Sequence, residues 1–347
     1  MSLVPCLLYI CANVVFMVLV WLYNRRPQRP TTTRHGPTPG HLANGFSTSV
    51  SSSSSRWSSS RQSSFMSILG LGDYQNFCAF EDHFSSFGEV AEACKRAGLS
   101  RCQLILGVDF SASNEWQGRK TFSGNCLHRV IPGKILNPYQ KVISIIGRTL
   151  ESFDNDNFIP AFGFGDKTTG GDAAFSFTTH PSGCHGFAEV LARYERLVPR
   201  LTLGGPTSFA PVIRQAIEIV KARACYHILI IIADGQVNEY GPTVDAIIEA
   251  SFYPLSIVVV GVGDGPWDAM EKFDDRIPER QFDNFQFVNY HKVTAKRRNP
   301  DACLALHVMM EIPDQYKTIR ALGYLDNEAE PEQDIRKLST KATLKVP

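Results

Sequence analysis

The 347-residue chain has no Cys-x-x-Cys pair, no His-x-x-x-His pair and almost no excess of charge. Its nine cysteines (Cys6, Cys11, Cys78, Cys94, Cys102, Cys126, Cys184, Cys225 and Cys303) are scattered. That spacing excludes a zinc ribbon, a RING finger and a thioredoxin motif. An odd, unclustered count fits reduced thiols in the cytosol better than a disulfide framework. The formal net charge of +1 argues against a nucleic-acid partner, which a basic excess would serve. A dinucleotide fingerprint is missing too. The stretch "GVGDGPW" follows an apolar run but lacks the GxGxxG spacing, and it reads as a turn. Adjacent Cys184 and His185 read as structural, because a nucleophile needs its base within hydrogen-bond reach.

One segment lacks charge altogether. Leu3 to Tyr23, "LVPCLLYICANVVFMVLVWLY", is close to the ~20 residues that a membrane-spanning helix needs. Arg25, Arg26 and Arg29 follow it, whereas a cleaved signal peptide carries its positive charge ahead of the apolar run. Residues 3–23 are therefore expected to anchor the chain in a membrane, with the arginines and everything after them facing the cytosol. Without an anchor there, the cytoplasm or nucleus is the expected place. Residues 24–64 include "STSVSSSSSRWSSSRQSS", too poor in apolar side chains to fold, and are expected to be a disordered linker. Residues 326–347, rich in charge and poor in aromatics, are expected to be a disordered tail. One domain is expected between them, over residues 65–325.

Within it, two kinds of period alternate. "QLILGVD", "YHILIIIAD" and "LSIVVVGVG" are short continuous apolar runs, the pattern of strands buried on both faces. "FIPAFGFG" and "FQFVNY" are expected strands as well. "PYQKVISIIGRTLESF" places Tyr139, Val142, Ile143, Ile146, Leu150 and Phe153 at helical spacing. "GFAEVLARYERLV", "FAPVIRQAIEIVKA", "TVDAIIEAS" and a segment near Asp301 to Glu311 are the other expected helices. Strands alternating with helices imply an α/β fold, a doubly wound, mostly parallel sheet covered on both faces. Ligands of such sheets bind at the carboxyl ends of the strands.

That edge is where the polar residues cluster. "QLILGVD" ends at Asp109, followed by Ser111 and Ser113 on alternate positions. "YHILIIIAD" ends at Asp234, and "LGGPTSFAPVI" puts Thr207 in a Gly-Pro loop just before a helix. A strand-end Asp of a phosphotransferase would be joined by a second acid two residues on, where this chain has Ser111. A bland reading is a turn in which Asp and Ser satisfy local backbone donors. The sharper reading is a metal site. Two carboxylates and three hydroxyls form an all-oxygen set that suits Mg²⁺ or Mn²⁺, with water completing the octahedron.

These residues resemble the metal-ion-dependent adhesion site of von Willebrand factor A domains of the copine type. All five positions of that motif are filled, by Asp109, Ser111, Ser113, Thr207 and Asp234. The resemblance implies that Ser111, Ser113 and Thr207 ligate directly and the acids act through water. "NEWQG", "NPYQKVISIIGRTL", "IIADGQV", "GVGDGPWDAMEKFDDRIPERQFDNFQFVNY" and "MEIPDQYK" are similar, more narrowly, to the A domain of plant RING-type ubiquitin ligases (RGLG type), over about residues 84–316. Two departures stand out. Past Asp234 the only Cys or His side chains are His291, Cys303 and His307, too few for one four-ligand site of a RING. The chain also starts Met-Ser rather than with a myristoylatable glycine. The resemblance therefore implies a metal-dependent protein-binding module, its partner donating an Asp or Glu carboxylate to the metal. The alternative is a ubiquitin-ligase homologue or subunit whose RING is missing or is supplied by another chain.

Overall fold

The computed structural model describes residues 86–326, apart from 97, 100, 132, 134, 151–152, 154–156, 181–182, 236, 276 and 278. The expected anchor at 3–23, the linker at 24–64, the first residues of the expected domain and nearly all of the expected tail lie outside the described residues. Among the described residues no helix is long and apolar enough to cross a membrane.

The strands are β1 (Gln103–Asp109), β2 (Phe158–Ile159), β3 (Ala161–Phe164), β4 (Ala174–Ser176), β5 (Cys184–His185), β6 (His227–Ala233), β7 (Leu255–Gly261) and β8 (Phe285–Asn289). The helices are α1 (Phe87–Arg96), α2 (Pro138–Leu150), α3 (Gly186–Leu197), α4 (Ala210–Arg223), α5 (Tyr240–Ala250), α6 (Asp268–Asp275), α7 (Tyr290–Thr294), α8 (Pro300–Met309) and α9 (Ile312–Ala321). One six-stranded sheet has the order β4-β3-β1-β6-β7-β8. All its pairs are parallel except β3 with the edge strand β4. This is the doubly wound, mostly parallel architecture that the alternating pattern demands.

The continuous apolar runs are explained by the two faces they serve. Leu104, Leu106 and Val108 of β1, Ile228, Ile230 and Ile232 of β6, and Val258 and Val260 of β7 enter one core, with apolar residues of α1, α2, α3, α8 and α9. Ile105, Leu229, Ile231, Ile257 and Val259 enter the other, with α4, α5 and α6. Side chains alternate across a strand, so a strand buried on both faces leaves few polar positions; Ser256 of β7 is one, buried and bonded to Tyr226 OH at 2.8 Å. Each such Ile or Val contributes about 1.5–3 kcal/mol when fully buried. Gly147 of α2 admits Phe187 of α3, whose ring would overlap any side chain there.

The sheet departs from the sequence pattern at Pro160. "FIPAFGFG" reads as one strand but is two. Before the proline, β2 pairs antiparallel with β5; after it, β3 pairs parallel with β1. Proline has no N–H to give to a ladder, so pairing changes partner there, while its carbonyl still accepts from Leu106 N at 2.9 Å. Helices α1, α6, α7 and α9 and strands β4 and β5 were not anticipated.

Candidate metal centre

Strands β1 and β6 are neighbours and parallel, with Val108 opposite Ile232. Their carboxyl ends therefore bring Asp109 and Asp234 to one place on the sheet edge. Asp109 is fully buried; its Oδ1 accepts from Ser111 N at 2.8 Å. A single 3₁₀ turn, Ala112–Glu115, then folds the chain back, leaving Ser111 Oγ 2.9 Å from Ser113 Oγ. The loop with Thr207 is tied to this turn: Gly204 forms a parallel bridge with Ser111, and Ala112 N donates to Gly204 O at 2.6 Å. Thr207 is buried and joined through its backbone to the loop after Asp234, its N donating to Asn238 Oδ1 at 3.0 Å and its O accepting from Asn238 N at 2.9 Å.

The five residues named from the sequence thus gather at one edge, but not in the same way. Ser111 and Ser113 share a hydrogen bond, and Asp109 and Asp234 act on one another electrostatically. Thr207 is held beside them through main-chain bonds on two sides. Glycines permit the crowding. A side chain at Gly204 would overlap the Asp166–Lys167 backbone, and one at Gly263 would overlap the Asp234 carbonyl oxygen.

Burial of two carboxylates is costly, and the electrostatics register it. Desolvation raises Asp109 to about 6, partly offset by hydrogen bonds from Ser111. Asp234 is raised well above the usual carboxylate range, by burial first and then by the Asp109 charge. Two like charges in one dry place hold a proton between them unless a cation replaces it. The Oδ2 atoms of both acids are buried and have no hydrogen-bond partner. Buried acceptors without donors cost about 1–3 kcal/mol each, more when charged. Among the described residues no group of three or more His, Cys, Asp or Glu could hold a metal, so any ion here needs the hydroxyls. Orphaned carboxylate oxygens beside an all-oxygen donor set fit a hard divalent cation.

Beneath the edge lies a buried polar layer that the sequence reading missed. Asn114 donates to Ser111 O at 3.0 Å and accepts from Tyr139 OH at 2.7 Å. His128 Nε2 lies 2.8 Å from Asp109 O and Nδ1 lies 2.8 Å from Tyr194 OH. A carbonyl only accepts, so Nε2 carries the proton and Nδ1 accepts from Tyr194. Burial lowers His128 to about 3, keeping it neutral, and its ring stacks on Phe110 and Tyr139 at 4.7 and 4.1 Å. Asn137 Nδ2 donates to Tyr194 OH at 3.1 Å. Asn137 and Gln140 exchange backbone and side-chain bonds at the start of α2. That last pair is a capping box followed by Pro138 at the first helical position, a signal that "NPYQ" carries in the sequence. Nothing local marks His128.

The two decoy motifs are structural. Cys184 is buried in β5 with its thiol raised to about 11 by burial, far from reactive. In "GVGDGPW", Asp264 accepts from Lys120 N, Thr121 N and Thr121 Oγ1 at 2.9, 3.0 and 2.7 Å, bracing the segment after the 3₁₀ turn.

A doubly wound sheet whose carboxyl edge reads Asp-x-Ser-x-Ser, Thr and Asp has the pattern of a von Willebrand factor A-type domain. A family model described as Copine matches residues 126–328, and the chain belongs to the copine family. E3 ubiquitin-protein ligase RGLG4 of Arabidopsis thaliana is 48% identical over 280 residues, covering 74% of this chain and 69% of that one. RGLG3 of the same plant is 51% identical over 258 residues, 70% of each chain. Copine family protein 2 of Caenorhabditis elegans is 47% identical over 268 residues, 76% of this chain but 3% of that much longer protein. Among solved structures, a von Willebrand factor type A protein from Catenulispora acidiphila is 14% identical, covering 62% of this chain and 43% of that one, with a TM-score of 0.37.

Proposed function

We propose that the domain is a divalent-cation-dependent protein-binding module. The observation that carries it is the pair of buried carboxylates, Asp109 and Asp234, each with an orphaned Oδ2, facing a hydroxyl cluster at the sheet edge. Ser111, Ser113 and Thr207 would hold Mg²⁺ or Mn²⁺ directly, and Asp109 and Asp234 would act through water. A bound cation would offset both charges and take a carboxylate oxygen from an Asp or Glu of the partner. Catalysis is not required of this arrangement. Calorimetry with Mn²⁺ tests this. The wild-type chain should bind and Asp109→Ala should not, since that change removes one of only two charged groups. Equal affinity in the two proteins would overturn the assignment.

A second reading rests on the similarity to the E3 ubiquitin-protein ligases RGLG4 and RGLG3. In it the domain recognises a substrate while another chain supplies the RING. The 347-residue chain should then form no polyubiquitin alone with activating enzyme, conjugating enzyme, ATP and ubiquitin, and should do so when a RING-bearing partner is added. Polyubiquitin made by the chain alone, and lost on mutating Cys303 or Cys184, would contradict both readings. The apolar run Leu3 to Tyr23, with arginines after it, supports a membrane tether that keeps the domain on the cytosolic side. Carbonate extraction should leave the full-length protein in the membrane fraction; its release would refute the tether.

A further inference from the structure

Beside the metal edge is a cleft of about 600 Å³ whose walls are mostly apolar: Phe110, Val130, Val198, Leu201 and Leu203, with His128 among them. Val130, Val198, Leu201 and Leu203 pack against the core yet remain partly exposed. Three links join the lining of the cleft to the metal edge. Phe110 lies between Asp109 and Ser111 in the chain. Leu203 precedes Gly204, which is bridged to Ser111. Cys126, which also lines it, precedes Leu127, whose N donates to Asn114 O at 2.9 Å, and Asn114 in turn bonds Ser111 O. Exposed Arg129 and Glu195 also line it.

We infer that the metal edge and this cleft form one two-point docking surface for a protein segment that carries an acidic residue beside a bulky apolar side chain. The inference rests on the metal-dependent reading above and adds the partner's chemistry to it. A cation by itself accepts any accessible carboxylate, so it cannot choose between partners. Selection has to come from groups next to it, and an apolar cleft selects by size and shape. A volume of 600 Å³ is within the range of ligand-binding clefts, and larger than one methyl-bearing side chain fills. Water inside finds few polar partners, so a Leu, Ile, Met or Phe displacing it is favoured. The cleft and the metal loop also share parts. His128 lines the cleft and donates to the Asp109 carbonyl.

The test uses the full 347-residue chain and a displayed library of random peptides, panned with Mn²⁺ and eluted with EDTA. The enriched peptides should share an Asp or Glu at a fixed spacing from one large apolar residue. Replacing that apolar residue by Ala in a synthetic peptide should weaken binding to the wild-type chain roughly tenfold or more, the usual weight of a buried interface anchor. Val198→Glu and Leu201→Glu should cause the same loss while Mn²⁺ affinity by calorimetry is unchanged. An acidic consensus without an apolar companion, or full affinity in the Ala peptide, would overturn the proposal. So would the absence of any EDTA-eluted peptide from a chain that binds Mn²⁺. Peptides that need the cleft but survive EDTA would make it an independent site, which also overturns the two-point surface. Absence of Mn²⁺ binding would instead fell the metal-dependent reading itself, and this proposal with it.

Discussion

Asp109→Asn should make the metal-free domain more stable than the wild type at pH 7.5. The carboxyl is fully buried and raised from 3.8 to about 6, by desolvation first. A group raised in the folded state binds its proton more tightly there than in the unfolded chain. Its favourable contribution is therefore complete below pH ~4, is lost as pH rises through about 6, and is gone above that. A shift of about two units corresponds to about 3 kcal/mol by which ionised Asp109 weakens the fold at pH 7.5. Asn keeps the shape and can still accept from Ser111 N, but it carries no charge. In EDTA at pH 7.5, the variant should gain about 2–3 kcal/mol in urea unfolding, or about 5–10 °C in Tm for a domain of this size. At pH 5 the gain should shrink, because wild-type Asp109 is then largely protonated. With Mn²⁺ at a hundred times its Kd, the wild type should recover about 2.7 kcal/mol and the variant should not respond. A variant less stable than the wild type in EDTA at pH 7.5 would refute the claim that these acids strain the empty edge.

His128→Ala should cost about 2–4 kcal/mol in urea unfolding, since it leaves the Asp109 carbonyl and the Tyr194 hydroxyl unpaired in a dry layer. In the wild type, its ring resonances should not move between pH 5 and 8, because burial holds it neutral down to about 3; a mid-range titration would contradict the buried tautomer. Gly263→Ala should displace Asp234 by pushing on its carbonyl, and Mn²⁺ heats should fall sharply while the far-ultraviolet dichroism stays native. Half-buried Cys126 should be alkylated before Cys94 and Cys184, whose thiols are raised to about 12 and about 11 by burial, as mass mapping of peptides after a timed iodoacetamide pulse would read.

The large elements were legible because burial leaves a simple trace. β1, β6 and β7 face a core on both sides, and mostly aliphatic side chains fill them, with His227 and Ser256 as buried polar exceptions. Asp109 and Asp234 stood out because each breaks such a run at its carboxyl end. Thr207 was harder: its loop has no apolar period, and only its place in a Gly-Pro loop ahead of a helix marked it before the resemblance to copine-type A domains. Strands β4 and β5 are three and two residues long, too short for any period to show. The change of partner at Pro160 depends on β5, which lies more than twenty residues away in sequence. The His128–Tyr194–Asn137 layer was invisible for the same reason. Its bonds span 19 to 66 residues, and a buried polar side chain looks like a surface one until its partner is known.

The parallel pairing of β1 with β6 has a mechanical consequence. A partner tugging at Asp109 and Asp234 pulls along two adjacent strands, not across them. The load runs lengthwise into a ladder that pairs Gln103 to Val108 with His227 to Ile232, and into the β1–β3 ladder on the other side. Hydrogen bonds loaded this way are sheared together, whereas a hairpin pulled from its open end unzips bond by bond. The central strands would therefore act as a tension member, sharing a pull on their carboxyl ends between the two parallel ladders.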